Sequence, residues 1–162
     1  MPRRICGQCG RTITISQRDW KYQNDSTMFL CSKSCVVENI KSFKTNPTVK
    51  YSPSPITGMI LGDVIYSKKF NINFKSKYEL KFAEFLNSSS FDFLYEPYGF
   101  DIDGHNYTPD FYITAHDCFI EVKGLFRSGS KGRLKKFIKQ YPDINFVFIP
   151  WTLRKEFYAN PK

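Results

Sequence analysis

Two short stretches hold the residue types from which hydrolytic chemistry can be assembled: Thr108-Pro109-Asp110 and Ile120-Glu121-Val122-Lys123-Gly124. Glu121 and Lys123 stand two apart, so on a strand both side chains leave the same face. If a short turn joins that strand to the one carrying Asp110, the three side chains converge. Two carboxylates offer hard oxygen ligands for Mg²⁺ or Mn²⁺. An ammonium beside them can position a water and offset the charge that grows on a phosphate under attack. The set suits metal-assisted hydrolysis of a phosphodiester. An E-x-K triplet alone is also what any solvated strand face with an ion pair looks like, so the pattern needs support from elsewhere.

A third carboxylate is available upstream. Glu79 falls on the first turn of a helix expected from Ser76 to about Leu86, a turn that can lean over a sheet edge. Ser76-x-x-Glu79 is equally a capping box, in which the glutamate only bonds back to the helix start. On spacing alone the two roles stand even.

A second set of ligands opens the chain. Cys6-x-x-Cys9 and Cys31-x-x-x-Cys35 have the spacing of a structural zinc site, four thiolates closing a tetrahedron. The second pair leads into an amphipathic helix candidate, Val36 to Phe43. The order of knuckle, hairpin and final pair at a helix N-terminus resembles a treble-clef finger, with the helix dipole helping to hold thiolates. Buried or disulfide-bonded cysteines are the alternative. A module this small buries too little to fold without its ion.

The elements that must position these groups divide the chain into a zinc module over residues 1–45, a linker or dimerisation segment over 46–70 and a nuclease-like domain over 71–162. Asn46-Pro47, Ser52-Pro53-Ser54-Pro55, Gly58 and Gly62 punctuate the joint, with a possible short strand from Ile60 to Tyr66. Beyond it, Tyr78, Phe82, Phe85 and Leu86 share one helical face. Phe91 to Glu96 alternates as a strand. Asp103-Gly104 predicts a hairpin turn between Phe100–Ile102 and Asn106–Ile113. Cys118 to Lys123 is a further strand, with Cys118 a buried small apolar residue. Leu134, Phe137, Ile138 and Tyr141 mark a second amphipathic helix, and Phe146 to Ile149 a strand buried on both faces. The fold class is α/β, of mixed α+β character: a mixed sheet flanked by helices, preceded by a small zinc finger.

The net charge of +9, from 24 Lys and Arg against 15 Asp and Glu, points to a polyanionic partner, since neutralised phosphates release counterions. Candidate DNA contacts are Arg3, Arg4 and Arg11 in the zinc module, with Arg18, Lys21, Lys33 and Lys41 behind them. In the second part they are Lys75, Lys131, Arg133, Lys135 and Lys136. A merely solvated helix face accounts for the last group nearly as well. No apolar run is long enough to span a bilayer, and no apolar segment follows Arg3 and Arg4 as in a secretory leader. An intracellular, cytoplasmic protein with reduced thiols is expected, without membrane partners.

The residues also carry a family resemblance. Phe74-Lys75-Ser76-Lys77-Tyr78-Glu79, Phe93-Leu94-Tyr95-Glu96, His105-Asn106-Tyr107-Thr108-Pro109-Asp110-Phe111 and Phe119-Ile120-Glu121-Val122-Lys123-Gly124-Leu125 resemble, in order, the phage T-seven type endonuclease I family of Holliday junction resolvases, within the PD-(D/E)xK nucleases. The resemblance implies a restriction-endonuclease-like core and an active site of Glu79, Asp110, Glu121 and Lys123, which moves Glu79 toward catalysis. It implies Mg²⁺-dependent cleavage of branched DNA by a homodimer, in the host cytoplasm if the chain is phage-encoded. The zinc module, the joint over 46–70 and the chain beyond Gly124 depart from that family. The expected function is therefore a DNA endonuclease acting on branched or Holliday-junction DNA. The alternatives are a site-directed homing or recombination endonuclease guided by the zinc module, and a non-catalytic zinc-finger DNA-binding protein.

Overall fold

The computed structural model describes residues 1–17, 28–45, 50–55, 64–122 and 130–158. Its centre is a four-stranded sheet in the order β10-β9-β8-β5. These strands are β5 (Leu94–Tyr95), β8 (Phe111–Ile113), β9 (Cys118–Val122) and β10 (Asn145–Ile149). β5, β8 and β9 run antiparallel in sequence, whereas β9 and β10 are parallel. Parallel neighbours need a crossover, and α3 (Ser130–Gln140) supplies it. The short turn Thr114–His116 joins β8 to β9, ending at Asp117 in a left-handed conformation (φ 45°).

Strand alternation sorts the core into two layers. Ile113, Cys118, Ile120, Val122, Val147 and Ile149 face one side, packed with Tyr78, Phe82 and Leu86 of α2 (Lys77–Ser88) and Phe157 of α4 (Arg154–Tyr158). Tyr112, Phe119 and Phe148 face the other side, under Leu134 and Phe137 of α3. The hairpin β6 (Phe100–Ile102) and β7 (His105–Tyr107) covers that second layer through Phe100, Ile102 and Tyr107. Its turn has Asp103 and Gly104 both at positive φ, 52° and 77°, as a primed two-residue turn demands. The expected long strand Asn106–Ile113 is instead two strands. Thr108, Pro109 and Asp110 lie between them, and Pro109 has no N–H for a ladder. A small hairpin, β3 (Ile65–Ser67) with β4 (Ile72–Phe74), leads into α2. The expected strand Ile60–Tyr66 overlaps β3 only at its end, and residues 60–63 lie outside the described residues.

The cysteine-bearing part packs onto this body. β1 (Arg3–Ile5) and β2 (Thr12–Thr14) form a hairpin, and α1 (Lys33–Ser42) follows with Ser32 as N-cap. Cys6, Leu30, Cys35, Val36 and Ile40 belong to the same buried cluster as Phe82, Phe85 and Phe157. The Lys33 ammonium lies 6.0 Å from the Phe85 ring and 5.7 Å from the Phe157 ring, which links the start of α1 to the protein body. Asn145 Nδ2 donates to the Lys44 carbonyl at 3.3 Å. Tyr51, from the joint, is wedged among Tyr98, Phe100, Tyr112 and Phe119. Among the described residues no helix is long and apolar enough to cross a membrane.

Candidate active site and metal centres

The sheet register brings the acids together. Tyr95 pairs with Phe111, and Phe111 with Ile120. One step further along the same rows, Glu96 N–H donates to the Asp110 carbonyl at 2.9 Å. Asp110 Oδ2 in turn accepts from Val122 N–H at 2.7 Å, tying it to the strand end that carries Glu121. Glu96, just past β5, Asp110, just before β8, and Glu121 in β9 therefore continue one register row across the end of the sheet. Both Asp110 (8% exposed) and Glu121 (1% exposed) are buried. Two buried carboxylates side by side are costly unless a cation joins them, and their oxygens are the hard donors a divalent ion takes. The residues present thus fit Mg²⁺ or Mn²⁺.

Glu79 reaches this row from the N-terminus of α2. Its Oε1 accepts from Ser76 Oγ at 2.8 Å. Its Oε2 accepts from Tyr95 OH at 2.5 Å and from Lys75 N–H at 3.1 Å, and Ser76 Oγ accepts from Glu79 N–H at 3.2 Å. Only half of the expected capping box is formed: Ser76 caps the helix, but the Glu79 carboxylate bonds back to the Lys75 N–H and the Ser76 hydroxyl, at the end of the sheet where Lys75 also meets Glu96. Burial pushes the Tyr95 hydroxyl far up, and Glu79 beside it adds to the shift. The Tyr107 hydroxyl, fully enclosed, is raised well above its usual range by burial and then by Glu121 and Asp110. Lys123 lies outside the described residues.

Sequence reasoning missed Glu96. It is held by Lys75 Nζ at 2.5 Å, with 22% of its side chain exposed against 56% for the lysine. Burial raises its pKa, Lys75 opposes the rise, and Glu79 and Glu121 add to it. The available signals are its place at the end of the Phe91–Glu96 alternation and in the Phe93-Leu94-Tyr95-Glu96 block of the family resemblance.

Glu79→Gln separates a cap from a ligand. Gln retains one acceptor of the box, so stability should fall by only about 1 kcal/mol. If Glu79 also serves a metal, cleavage by this variant should drop by about tenfold or more, as for groups that orient or hold an ion. Thermal unfolding and a cleavage rate measured on one preparation check both halves. Near-normal cleavage would leave Glu79 a cap only.

The four paired cysteines converge as their spacing predicts. The Sγ atoms of Cys6, Cys9, Cys31 and Cys35 all lie within 4.8 Å of one another. Cys9 and Cys31 are 3.5 Å apart, and Cys31 and Cys35 3.6 Å. A tetrahedral zinc with Zn–S bonds of about 2.3 Å has S–S edges of about 3.8 Å, so the cluster fits zinc. Cys6 and Cys9 sit on a knuckle closed by Gly10 N–H to the Cys6 carbonyl at 2.9 Å, with Gly10 at φ 72°. Cys31 precedes the N-cap and Cys35 lies in the first turn of α1, where Cys35 N–H donates to Ser32 Oγ. Burial opposes ionisation of Cys6, but backbone N–H groups of Cys9 and Gln8 outweigh it and bring the thiol down to about 7. Burial and the neighbouring thiols push Cys31 up to about 12.

The remaining sequence candidates are scattered. Arg3 and Arg11 are exposed on the zinc hairpin and Arg4 is half-buried. On α3, Arg133 is exposed, Lys135 is half-buried, and Lys136 pairs with Asp103. Lys131 lies on α3, with its side chain outside the described residues, as are Arg18 and Lys21.

A profile of the family described as phage endonuclease I matches residues 63–160, more than half of the chain. The endodeoxyribonuclease 1 of Enterobacteria phage T3 is 32% identical over 89 residues, covering 52% of this chain. The chain spans 58% of that relative's length, and the cysteine-bearing N-terminal part lies outside the family match. No solved structure matches significantly.

Proposed function

Because this chain belongs to the phage endonuclease I family, we propose that it is a divalent-metal-dependent DNA endonuclease whose centre is built from Asp110, Glu121, Glu79 and Lys123. The observation that carries the reading is the row that places buried Asp110 and Glu121 side by side, within the matched stretch, at the end of α2. Asp110 and Glu121 would hold the ion, with Glu79 completing a second position. When bound, a divalent ion polarises the scissile phosphate and lowers the pKa of an attacking water. Lys123, two residues past Glu121 in sequence, would orient that water and offset the charge developing on the phosphate. The N-terminus of α2 adds a positive dipole end facing the same place. The zinc module of residues 1–45 would keep Arg3 and Arg11 on a DNA-facing surface beside the nuclease domain of residues 71–162.

The substrate would be branched DNA, as the motif resemblance implies, and the enzyme a homodimer, since paired incisions need two centres. Purified protein with Mg²⁺, given a four-way junction, a linear duplex and a single strand, tests this. Selective incision of the junction by a particle of twice 19.0 kDa in light scattering is the expected result. Incision of the linear duplex at one sequence would instead favour a site-directed enzyme guided by the zinc module. Binding to DNA with no incision of any of the three would end the nuclease assignment.

A further inference from the structure

Resting on the cleavage centre proposed above, we propose that Glu96, with Lys75 as its counter-ion, is a further positioning residue of that centre and sets its affinity for divalent ion. Three independent observations converge on it. The first is its place in the row: Glu96 follows the β5 residue paired with Phe111, and its N–H holds the carbonyl of Asp110 at 2.9 Å. The second is its backbone. Glu96 sits at φ 46°, in the left-handed region that a glutamate adopts only at a cost, and such strain persists where the surroundings over-determine it. The third is its partner. A side chain that is mostly buried is met at 2.5 Å by a lysine that is mostly exposed.

The arrangement is more than a surface ion pair. Lys75 binds both edges of the centre, through its ammonium to Glu96 and through its backbone N–H to Glu79 Oε2. Glu96 and Glu79 are thus linked by one residue, and Tyr95, the residue before Glu96, donates to Glu79 as well. Glu96 therefore fixes the end of β5 relative to both the α2 cap and the segment bearing Asp110, just before β8. Its charge also counts. Glu79, Asp110 and Glu121 already gather three carboxylates at the sheet end, and Glu96 makes a fourth. A divalent cation is drawn by the sum of that field, and Lys75 subtracts one unit from it. More than half of the lysine side chain is in water, so a DNA phosphate can compete with Glu96 for its ammonium. Delivery of DNA would then uncover the full charge of Glu96 when the ion is needed.

The two side chains should shift ion affinity in opposite directions, which a purely structural ion pair would not do. Full-length, zinc-loaded protein without DNA is titrated with Mn²⁺ by calorimetry at fixed pH. Glu96→Gln keeps size and hydrogen-bonding capacity but removes the charge, and should weaken Mn²⁺ binding by about tenfold. Lys75→Met removes the competing cation and should tighten Mn²⁺ binding severalfold. Thermal unfolding on the same samples shows whether either variant is folded, and Glu96→Asp, which keeps the charge, should recover part of the affinity. Folded Glu96→Gln and Lys75→Met variants that bind Mn²⁺ as the wild type does, or that both weaken, would overturn the proposal. Asp110→Ala separates this from the parent reading. If it loses Mn²⁺ binding while Glu96→Gln does not, only the role of Glu96 falls. If it binds as the wild type does, the centre itself has been misassigned and both readings fall.

Discussion

Asp110→Ala and Glu121→Ala should each slow DNA cleavage by about 10³-fold or more, because a metal's hold on the reacting phosphate is worth several kcal/mol. DNA binding should survive or tighten, since each change removes a negative charge that repels phosphates. The two variants differ in their side effects. Asp110 also accepts the Val122 N–H, so its removal leaves a buried donor unsatisfied at a cost of about 1–3 kcal/mol. Asp110→Asn keeps an oxygen for that N–H and isolates the loss of charge. Glu121 is 1% exposed, and truncation there opens a small cavity next to Tyr107. Cleavage rates, DNA affinity and unfolding curves on the same preparations tell chemistry from folding. Near-normal cleavage by either alanine variant would remove the centre from Asp110 and Glu121.

Stripping zinc should unfold the whole protein, not only its first 45 residues. A structural zinc contributes on the order of 10 kcal/mol, comparable to the ~5–15 kcal/mol net stability of a domain. Here two of the four thiols, Cys6 and Cys35, are buried in the cluster that also contains Phe82, Phe85 and Phe157 of the helix-flanked sheet. Loosening the knuckle exposes Leu30, Val36 and Ile40 together with that wall. We expect about one zinc per chain by elemental analysis of untagged protein, a single unfolding transition, and loss of that transition with excess chelator. Cys6→Ser or Cys35→Ser should have the same effect. Less than half an equivalent of zinc, or chelated protein that melts unchanged, would contradict it.

Much of this was legible in the sequence because the signals are local. Cys6-x-x-Cys9 with Cys31-x-x-x-Cys35 converges as its spacing requires, and Asp103-Gly104 makes the turn its residue types favour. Ser76 caps α2, and Tyr78, Phe82 and Leu86 are buried on one face of it. Asp110 and Glu121 meet because a tight β8–β9 connection leaves them opposite each other. What was not legible depends on neighbours distant in sequence. Glu96 looks like an ordinary polar position at a strand end until three strands are aligned in register. The apolar face of α1 was visible in Val36 and Ile40, but not that it would join the buried cluster of the sheet and meet the Thr114–His116 turn. Lys33 reads as one more basic residue until the rings of Phe85 and Phe157 are brought beneath it. Pro109 divides a strand that hydrophobic alternation alone would have run through.

If this sheet end hydrolyses DNA, it does so with a divalent ion. Single-turnover incision of a four-way junction, followed as Mg²⁺ is titrated into zinc-loaded protein previously cleared of other divalent ions, tests it most directly. The expected result is no incision without Mg²⁺ and a saturable rise as it is added. Ca²⁺, a larger ion with looser coordination, should bind at the centre and support incision poorly or not at all. Incision at full rate with no divalent ion beyond the structural zinc, or no incision of the junction at any Mg²⁺ concentration by folded protein, would contradict this reading.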